Sequence, residues 1–201
     1  NIERPEEAED AVRVGAEGIG LFRSEFLFLN RCQLPDEEEQ YRAYRQVLET
    51  LQGRPVTIRT IDVGADKILP AQALIPGATS ALGRRAIRYS LAEPEMFLVQ
   101  LRALLRASVH GNLQILLPML TQPHEVDEAM LLLAQARQEL ASRGEPVAEH
   151  IPVGGMIEVP AAALSAGIFA SKLDFLAIGT NDLVQYTLAI DRTDQRIAHL
   201  Y

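Results

Sequence analysis

Glu158 and Asp182 are two carboxylates whose surroundings call for a chemical explanation. Glu158 lies in apolar company at the end of the run Val153 to Val159, just before Pro160. A lone carboxylate in such a place has its pKa raised or holds a cation, and the cation is the favoured expectation. Asp182 closes Thr180-Asn181-Asp182, which follows the apolar run Phe175 to Ile178 and Gly179, where a parallel strand hands over to a helix. The plain reading of those three residues is a helix cap. Four other strand-like segments, however, also end in polar groups. Arg59 lies within the apolar run 56–61, where an arginine is costly unless partnered, so a functional role is expected, with Asp62 as its structural partner. Arg23 follows Phe22 at the end of a short strand. Its plain reading is a surface arginine paired with Glu25, which is compatible with a ligand role. Lys67 follows a glycine-containing loop and Arg192 follows Asp191. Two acids with several arginines and a lysine point to a metal bridging to a phosphorylated ligand. Mg²⁺ takes one or two carboxylates plus substrate oxygens and water, and arginine forks fit phosphate and carboxylate.

The elements that must position these groups alternate regularly. The spacing predicts a helix over 6–15 and a strand from Ile19 to Phe22 that ends at Arg23. Pro35 is expected at the first position of a helix with an acidic first turn, running to about Leu51 and stopped by Gly53. A strand over 55–61 and a loop over 71–81 follow. Of Arg84, Arg85 and Arg88, the last two stand three apart, on one helical face. A helix over 94–110, a strand from Leu113 to Leu117 ended by Pro118-Met119, and a long helix over 123–143 come next. That long helix carries an apolar stripe of Val126, Met130, Leu133, Ala134 and Leu140. Then come the strand Val153 to Val159, a small-residue helix from Ala161 to Lys172, and the last strand and helix. Strands alternate with helices five times, the signature of βα units on a parallel sheet. Arg23, Arg59, Glu158, Asn181 and Asp182 gather at strand C-termini, the chemical face of a (β/α) barrel. A whole barrel needs eight units and about 250 residues. Residues 1–201 are therefore expected to form one α/β domain, a TIM-type (β/α)₈ barrel incomplete at its C-terminal end.

Bulk properties narrow the class. The chain of 201 residues, 48% hydrophobic and 23% charged, is ordinary globular material, enough for one domain or part of a larger one. A net charge of −8 argues against a nucleic-acid surface, while leaving room for a small anion where arginines converge. No apolar run approaches the roughly 18 residues of a membrane span, so no membrane insertion is expected. The acidic start NIERPEEAEDA is no signal peptide, and the missing initiating Met is read as a piece of a longer polypeptide. A single cysteine, Cys32, permits no internal disulfide and fits a reducing cytoplasm; it reads as filler rather than as a nucleophile. Zinc-type Cys/His spacing, a GxxxxGK[ST] loop and a GxGxxG after a strand are all missing. The histidines at 110, 124, 150 and 199 are scattered, and none reads as a general base.

Six segments then carry a resemblance: GAEGIGLFRSEFLFLNR, TIRTIDVGADK, LGRRAIR, LRASVHGNLQILLPM, GGMIEVPAAALSA and DFLAIGTNDLVQYTLAIDR. In order, and along essentially the whole chain, they resemble the phosphoenolpyruvate-binding C-terminal domain of Enzyme I. That is the phosphoenolpyruvate–protein phosphotransferase of the bacterial sugar phosphotransferase system, with its multidomain fusion relatives. Pyruvate phosphate dikinase and phosphoenolpyruvate synthase share the barrel, but the FRSEFLF and GTNDLVQYTLAIDR wordings look closer to Enzyme I. The resemblance implies that Glu158 and Asp182 bind Mg²⁺, and that Arg23, Arg59 and Arg192 bind phosphate and carboxylate. It further implies that Asn181 and Asp182 contact the ligand, and that Lys67 and Arg85 line the site. The phosphoryl group is then expected to pass to a histidine on a separate N-terminal domain and on to a small phosphocarrier protein, with this domain forming a homodimer. Three features depart from the family pattern. Thr79-Ser80-Ala81 stands where an Asn-Pro usually precedes LG, and GGDK is GADK at 64–67. The histidine-bearing domain, and the cysteine that protonates enolpyruvate beyond Tyr201, fall outside the chain, which is thus expected to bind without completing turnover. The rival reading is a non-catalytic phosphoenolpyruvate-sensing and dimerisation module.

Overall fold

Short runs of Val, Ile and Leu set between glycines and prolines become strands, because branched aliphatic side chains pack well on a sheet covered from both sides. The computed structural model describes every residue except Asn30, Cys32, 64–81, Thr193, Tyr201 and the side chain of Ala198. Its strands are β1 (Ile19–Arg23), β2 (Pro55–Arg59), β3 (Asn112–Leu117), β4 (Val153–Ile157) and β5 (Phe175–Ile178). They pair in parallel and in chain order, β1-β2-β3-β4-β5. Between them run the helices α1 (Glu7–Arg13, before β1), α2 (Glu37–Leu51), α3 (Ile87–Ala92), α4 (Pro94–Ala107) and α5 (Pro123–Ser142). Two short helices, α6 (Pro160–Leu164) and α7 (Ala166–Ala170), link β4 to β5, and α8 (Thr180–Leu188) follows β5. No described helix is long and apolar enough to cross a membrane.

The main core lies between sheet and helices. Phe22 of β1 meets Tyr44 of α2 edge to face at 6.1 Å, and Val56, Ile58 and Ile115 of the central strands join Leu48, Leu101 and Leu104 of the helices around it. A smaller cluster of Phe28, Ile61, Val63 and Tyr89 sits just beyond the ends of β1 and β2. Alternation along that exit sends Ile61 and Val63 into the apolar cluster and leaves Asp62 for charged partners. Register brings the ends into line. Arg23 pairs with Arg59 across β1 and β2, and Ile157 pairs with Ile178 across β4 and β5. A Cβ on Gly154 would stand 2.3 Å from the Phe175 ring, so glycine is what allows β4 and β5 to pack at that point.

Several expectations are corrected. Pro35 is not the first helical residue; Asp36 is the N-cap and accepts from the Glu39 N–H at 2.8 Å, a bond that Pro35 could not have supplied. Arg85 precedes α3, so it shares no helical face with Arg88. Arg88 donates instead to the Leu82 carbonyl, and Arg84 pairs with Glu93. Met130 is exposed and Ala129 and Ala136 are buried, which rotates the apolar stripe of α5. The helix expected over 161–172 is broken at Ser165 into α6 and α7. None of Thr180, Asn181 and Asp182 is an N-cap: Gly179 holds that position and the three form the first turn of α8. The 71–81 loop, Lys67, Cys32 and the departures at Ala65 and Thr79-Ser80-Ala81 lie outside the described residues.

Candidate functional site

β2 carries Arg59 to its last position, where a long side chain reaches past the strand. Its guanidinium is held from two sides. Nη2 donates to Glu25 Oε1, and Nη1 lies 2.9 Å from Asp62 Oδ2. Asp62 is shared, its Oδ1 accepting from Arg85 Nη2 at 2.7 Å. Arg85 Nη1 in turn stands 3.8 Å from Asp182 Oδ1, and Arg192 Nη1 approaches the same oxygen at 3.6 Å. Charges thus alternate through Glu25, Arg59, Asp62, Arg85, Asp182 and Arg192. The chain of contacts ties together the exits of β1, β2 and β5 and the turn before α3.

Glu158, at the exit of β4, completes the group. It is 1% exposed, and Oε1 accepts from the Met119 N–H at 2.7 Å. Met119 adopts a left-handed backbone, φ 57°, which is uncommon for a bulky side chain and here aims its N–H at the carboxylate. Burial pushes the Glu158 carboxyl up to about 8. The negative charge of Asp62 pushes the same way, then that of Asp182, against the Met119 hydrogen bond and Arg59. Charge counting adds to the effect of burial. Glu25, Asp62, Asp182 and Glu158 set four acids against Arg59, Arg85 and Arg192, three cations. With all of them ionised the cluster carries −1, and a proton or a cation at Glu158 removes the deficit. Glu25 is also raised, by burial first and with Asp62 adding to it, while Arg59 opposes. Burial works against the charges of Arg59 and Arg85, yet their acidic neighbours outweigh it and both stay firmly protonated.

The donors suit a hard divalent cation. Asp182 Oδ1 is buried with no hydrogen-bond partner, and Glu158 Oε2 faces the space over Gly179, where a Cβ would stand 2.5 Å away. Among the described residues no group of three or more Asp, Glu, His or Cys gathers as a cage. Two carboxylates leaving other positions to ligand oxygens and water is the Mg²⁺ pattern; a closed zinc site takes four ligands from Cys and His.

Of the residues singled out in the sequence, Arg59, Arg85, Asp182 and Arg192 come together, with Glu158 beside them. Asp62 is a partner of Arg59, as expected, and serves Arg85 as well. Arg23 does not join. Its Cα is level with that of Arg59, but its Nη1 donates to Glu3 Oε1 at 2.8 Å, so the expected pairing with Glu25 is replaced. Glu25 is taken instead by Arg59, because η1 (Ser24–Leu27), a single 3₁₀ turn, folds it inward. Asn181 sits exposed in the first turn of α8. In the sequence Glu25 reads only as a partner for Arg23 and Met119 only as a strand end, and Tyr186 is missed. Tyr186 stands one helical turn after Asp182, and burial raises its pKa while Arg85, hydrogen-bonded to it, opposes. That i, i+4 spacing was the available signal; the role of the Met119 main chain left none.

The whole chain, residues 1–201, matches the family model described as PEP-utilising enzyme, PEP-binding domain. It is 55% identical over 204 residues to the phosphoenolpyruvate-protein phosphotransferase of Cupriavidus necator, covering 100% of this chain and 35% of that protein. The proteins of the same name in Geobacillus stearothermophilus and Bacillus subtilis are 50% and 46% identical over 201 residues, again covering 100% of this chain and 35% of each relative. The chain thus spans about a third of the length of the curated relatives it matches.

Proposed function

Since the chain belongs to the family of phosphoenolpyruvate-binding domains of phosphoenolpyruvate-utilising enzymes, we propose that it is the phosphoenolpyruvate site of an Enzyme I-type phosphoenolpyruvate–protein phosphotransferase. The observation that carries this reading is the alternation Glu25–Arg59–Asp62–Arg85–Asp182–Arg192, buried except at its exposed Arg192 end, with Glu158 beside it. Three guanidiniums are already fixed where an anion's oxygens arrive, so no reorganisation is needed when charge moves in the transition state. Glu158 and Asp182 hold Mg²⁺, which when bound offsets phosphoryl charge and brings the excess of the cluster from −1 to +1. Arg59, Arg85 and Arg192 receive phosphate and carboxylate oxygens, and Lys67, Arg23 and Asn181 are further ligand-binding residues on the family resemblance. The phosphoryl group leaves to a histidine nitrogen on a separate N-terminal domain: a P–N bond forms, the P–O bond to the enol breaks, and the enolate of pyruvate remains. A small phosphocarrier protein is the next acceptor, in a cytoplasmic homodimer. Residues 1–201 supply the first five strands of a (β/α)₈ barrel, a reading supported by the chain-order sheet and by a site at strand C-termini.

Calorimetric titration of the chain with phosphoenolpyruvate, with and without Mg²⁺, tests this. Binding is expected to require Mg²⁺ and to weaken at least a hundredfold in Asp182→Asn, with Arg192→Ala weakening it about tenfold at unchanged metal dependence. Metal-independent binding, or none by a folded chain, would sink the assignment. Binding without transfer when the histidine-bearing domain is supplied would favour the sensing module.

A further inference from the structure

Resting on that reading, we propose that Gln100 is a positioning residue for the phosphoenolpyruvate site, holding the exits of β1 and β2 so that Glu25 and Asp62 clamp Arg59 in one geometry. Gln100 sits on the buried face of α4, 1% exposed, among Phe97, Leu101 and Leu104. A carboxamide there is costly unless satisfied. It is satisfied by three separate segments. Oε1 accepts from the Ile61 N–H at 3.0 Å, and Nε2 donates to Ser24 Oγ at 3.0 Å and to Tyr44 OH at 3.1 Å.

The amide can face only one way, because the Ile61 N–H is purely a donor and must meet the carbonyl oxygen. Two of its partners are neighbours of the clamp. Ser24 immediately precedes Glu25, and Ile61 immediately precedes Asp62. The third leads away from the site. Tyr44 OH also meets Ser24, but it donates to Gln40 Oε1 at 3.2 Å, and Gln40 Nε2 donates to the Pro35 carbonyl at 3.0 Å, which ties the network back to the start of α2. The last main-chain bond from β2 towards β3 is Thr60 N–H to the Leu116 carbonyl at 3.0 Å. Beyond it, Gln100 takes over as the acceptor that fixes where Asp62 stands. Its three hydrogen bonds go to none of the site's arginines or carboxylates, and it acts through two stretches of main chain.

The test compares Gln100→Leu, Gln100→Glu and Tyr44→Phe with the parent in the full chain. Three quantities are read: phosphoenolpyruvate affinity with Mg²⁺, the urea midpoint, and the NMR resonance of the Arg59 Nε–H. Gln100→Glu keeps the acceptor for Ile61 and loses both donations; Gln100→Leu loses all three bonds; Tyr44→Phe loses the hydroxyl's bonds but leaves Gln100 its bonds to Ile61 and Ser24. Affinity is expected to fall at least tenfold in Gln100→Leu and several-fold in Gln100→Glu, with the Arg59 resonance shifted or broadened in both. Tyr44→Phe is expected to lower the urea midpoint with affinity within twofold of the parent. If the Gln100 variants lose stability as Tyr44→Phe does, with unchanged affinity and Arg59 resonance, Gln100 is packing only and the proposal is overturned. A parent that does not bind phosphoenolpyruvate sinks the functional reading instead. The Arg59 resonance then still decides whether Gln100 orders the clamp.

Discussion

Burial, with Asp62 and Asp182 adding to it, raises the Glu158 carboxyl, and that has a measurable consequence for folding. Its ordinary pKa is 4.5 and its folded value about 8, so the folded state holds a proton that the unfolded chain releases. For an acid raised in this way, the stabilisation is complete below pH 4.5 and is lost as pH rises through 8. Metal-free chain should therefore show a urea midpoint that falls between pH 5 and pH 9, by a stability loss on the order of a few kcal/mol. Glu158→Gln should flatten that slope, since an amide has no proton to lose, and Mg²⁺ should oppose the loss in the parent. Equal slopes in parent and variant would mean that another group carries the dependence. At Arg59 the same low dielectric cuts the other way. The guanidinium stays charged because Glu25 and Asp62 both face it, and its removal would leave the buried Glu25 without a cation and Asp62 with Arg85 alone.

At the scale of the element, the site is a set of strand exits, and the tightest of them is the turn from β5 into α8. Gly179 sits against Glu158, with room for a hydrogen and none for a methyl. Gly179→Ala should displace the carboxylate, weaken Mg²⁺-dependent phosphoenolpyruvate binding at least tenfold, and cost roughly 1–3 kcal/mol of stability. A titration showing parent-like affinity would mean that Glu158 can move without losing the metal. The far end of the same helix should respond in the opposite sense. Ala189 ends α8 in the left-handed region, φ 54° and ψ 40°, and turns the chain back so that Arg192 reaches Asp182. The residue is exposed, and glycine adopts that backbone freely, so Ala189→Gly should raise stability by about 0.5–1 kcal/mol with affinity unchanged. Thermal unfolding beside calorimetry checks both halves of that statement.

Across the whole molecule, burial is uneven in a way that should show in exchange rates. β2 and β3 pair along most of their length in the centre of the sheet, with nearly every position of β2 buried. β5 pairs only with β4 among the described residues, and Ile178 is 70% exposed. Amides of β5 should exchange with solvent at least tenfold faster than those of β3, measured by hydrogen exchange on the full chain. Equal protection would mean that something covers that edge in solution. The charge pattern is uneven as well. A chain of net charge −8 gathers three arginines at the strand exits, where four acids face them, so the local excess is only −1 and a bound divalent cation would reverse it.

The βα rhythm, the strand segments and the candidates Arg59, Glu158 and Asp182 were legible in the residues themselves, whereas Arg85 and Arg192 were singled out by the family resemblance. Apolar periodicity and a charge placed inside an apolar run are local properties, and burial of such a charge demands partners whatever the fold. What the sequence could not supply was which charge meets which. Arg23 and Glu25 stand two residues apart, yet a single 3₁₀ turn between them sends Glu25 to Arg59 and leaves Arg23 to Glu3. The first turn of α8 read equally well as a cap, until Gly179 proved to hold the cap position. The Met119 amide at Glu158 and the Gln100 carboxamide across two strand exits involve sequence separations of 39 and 76. Side-chain type and spacing act over a few residues, whereas the partner of a buried polar group is fixed by the packing of distant segments, and only the tertiary structure decided it.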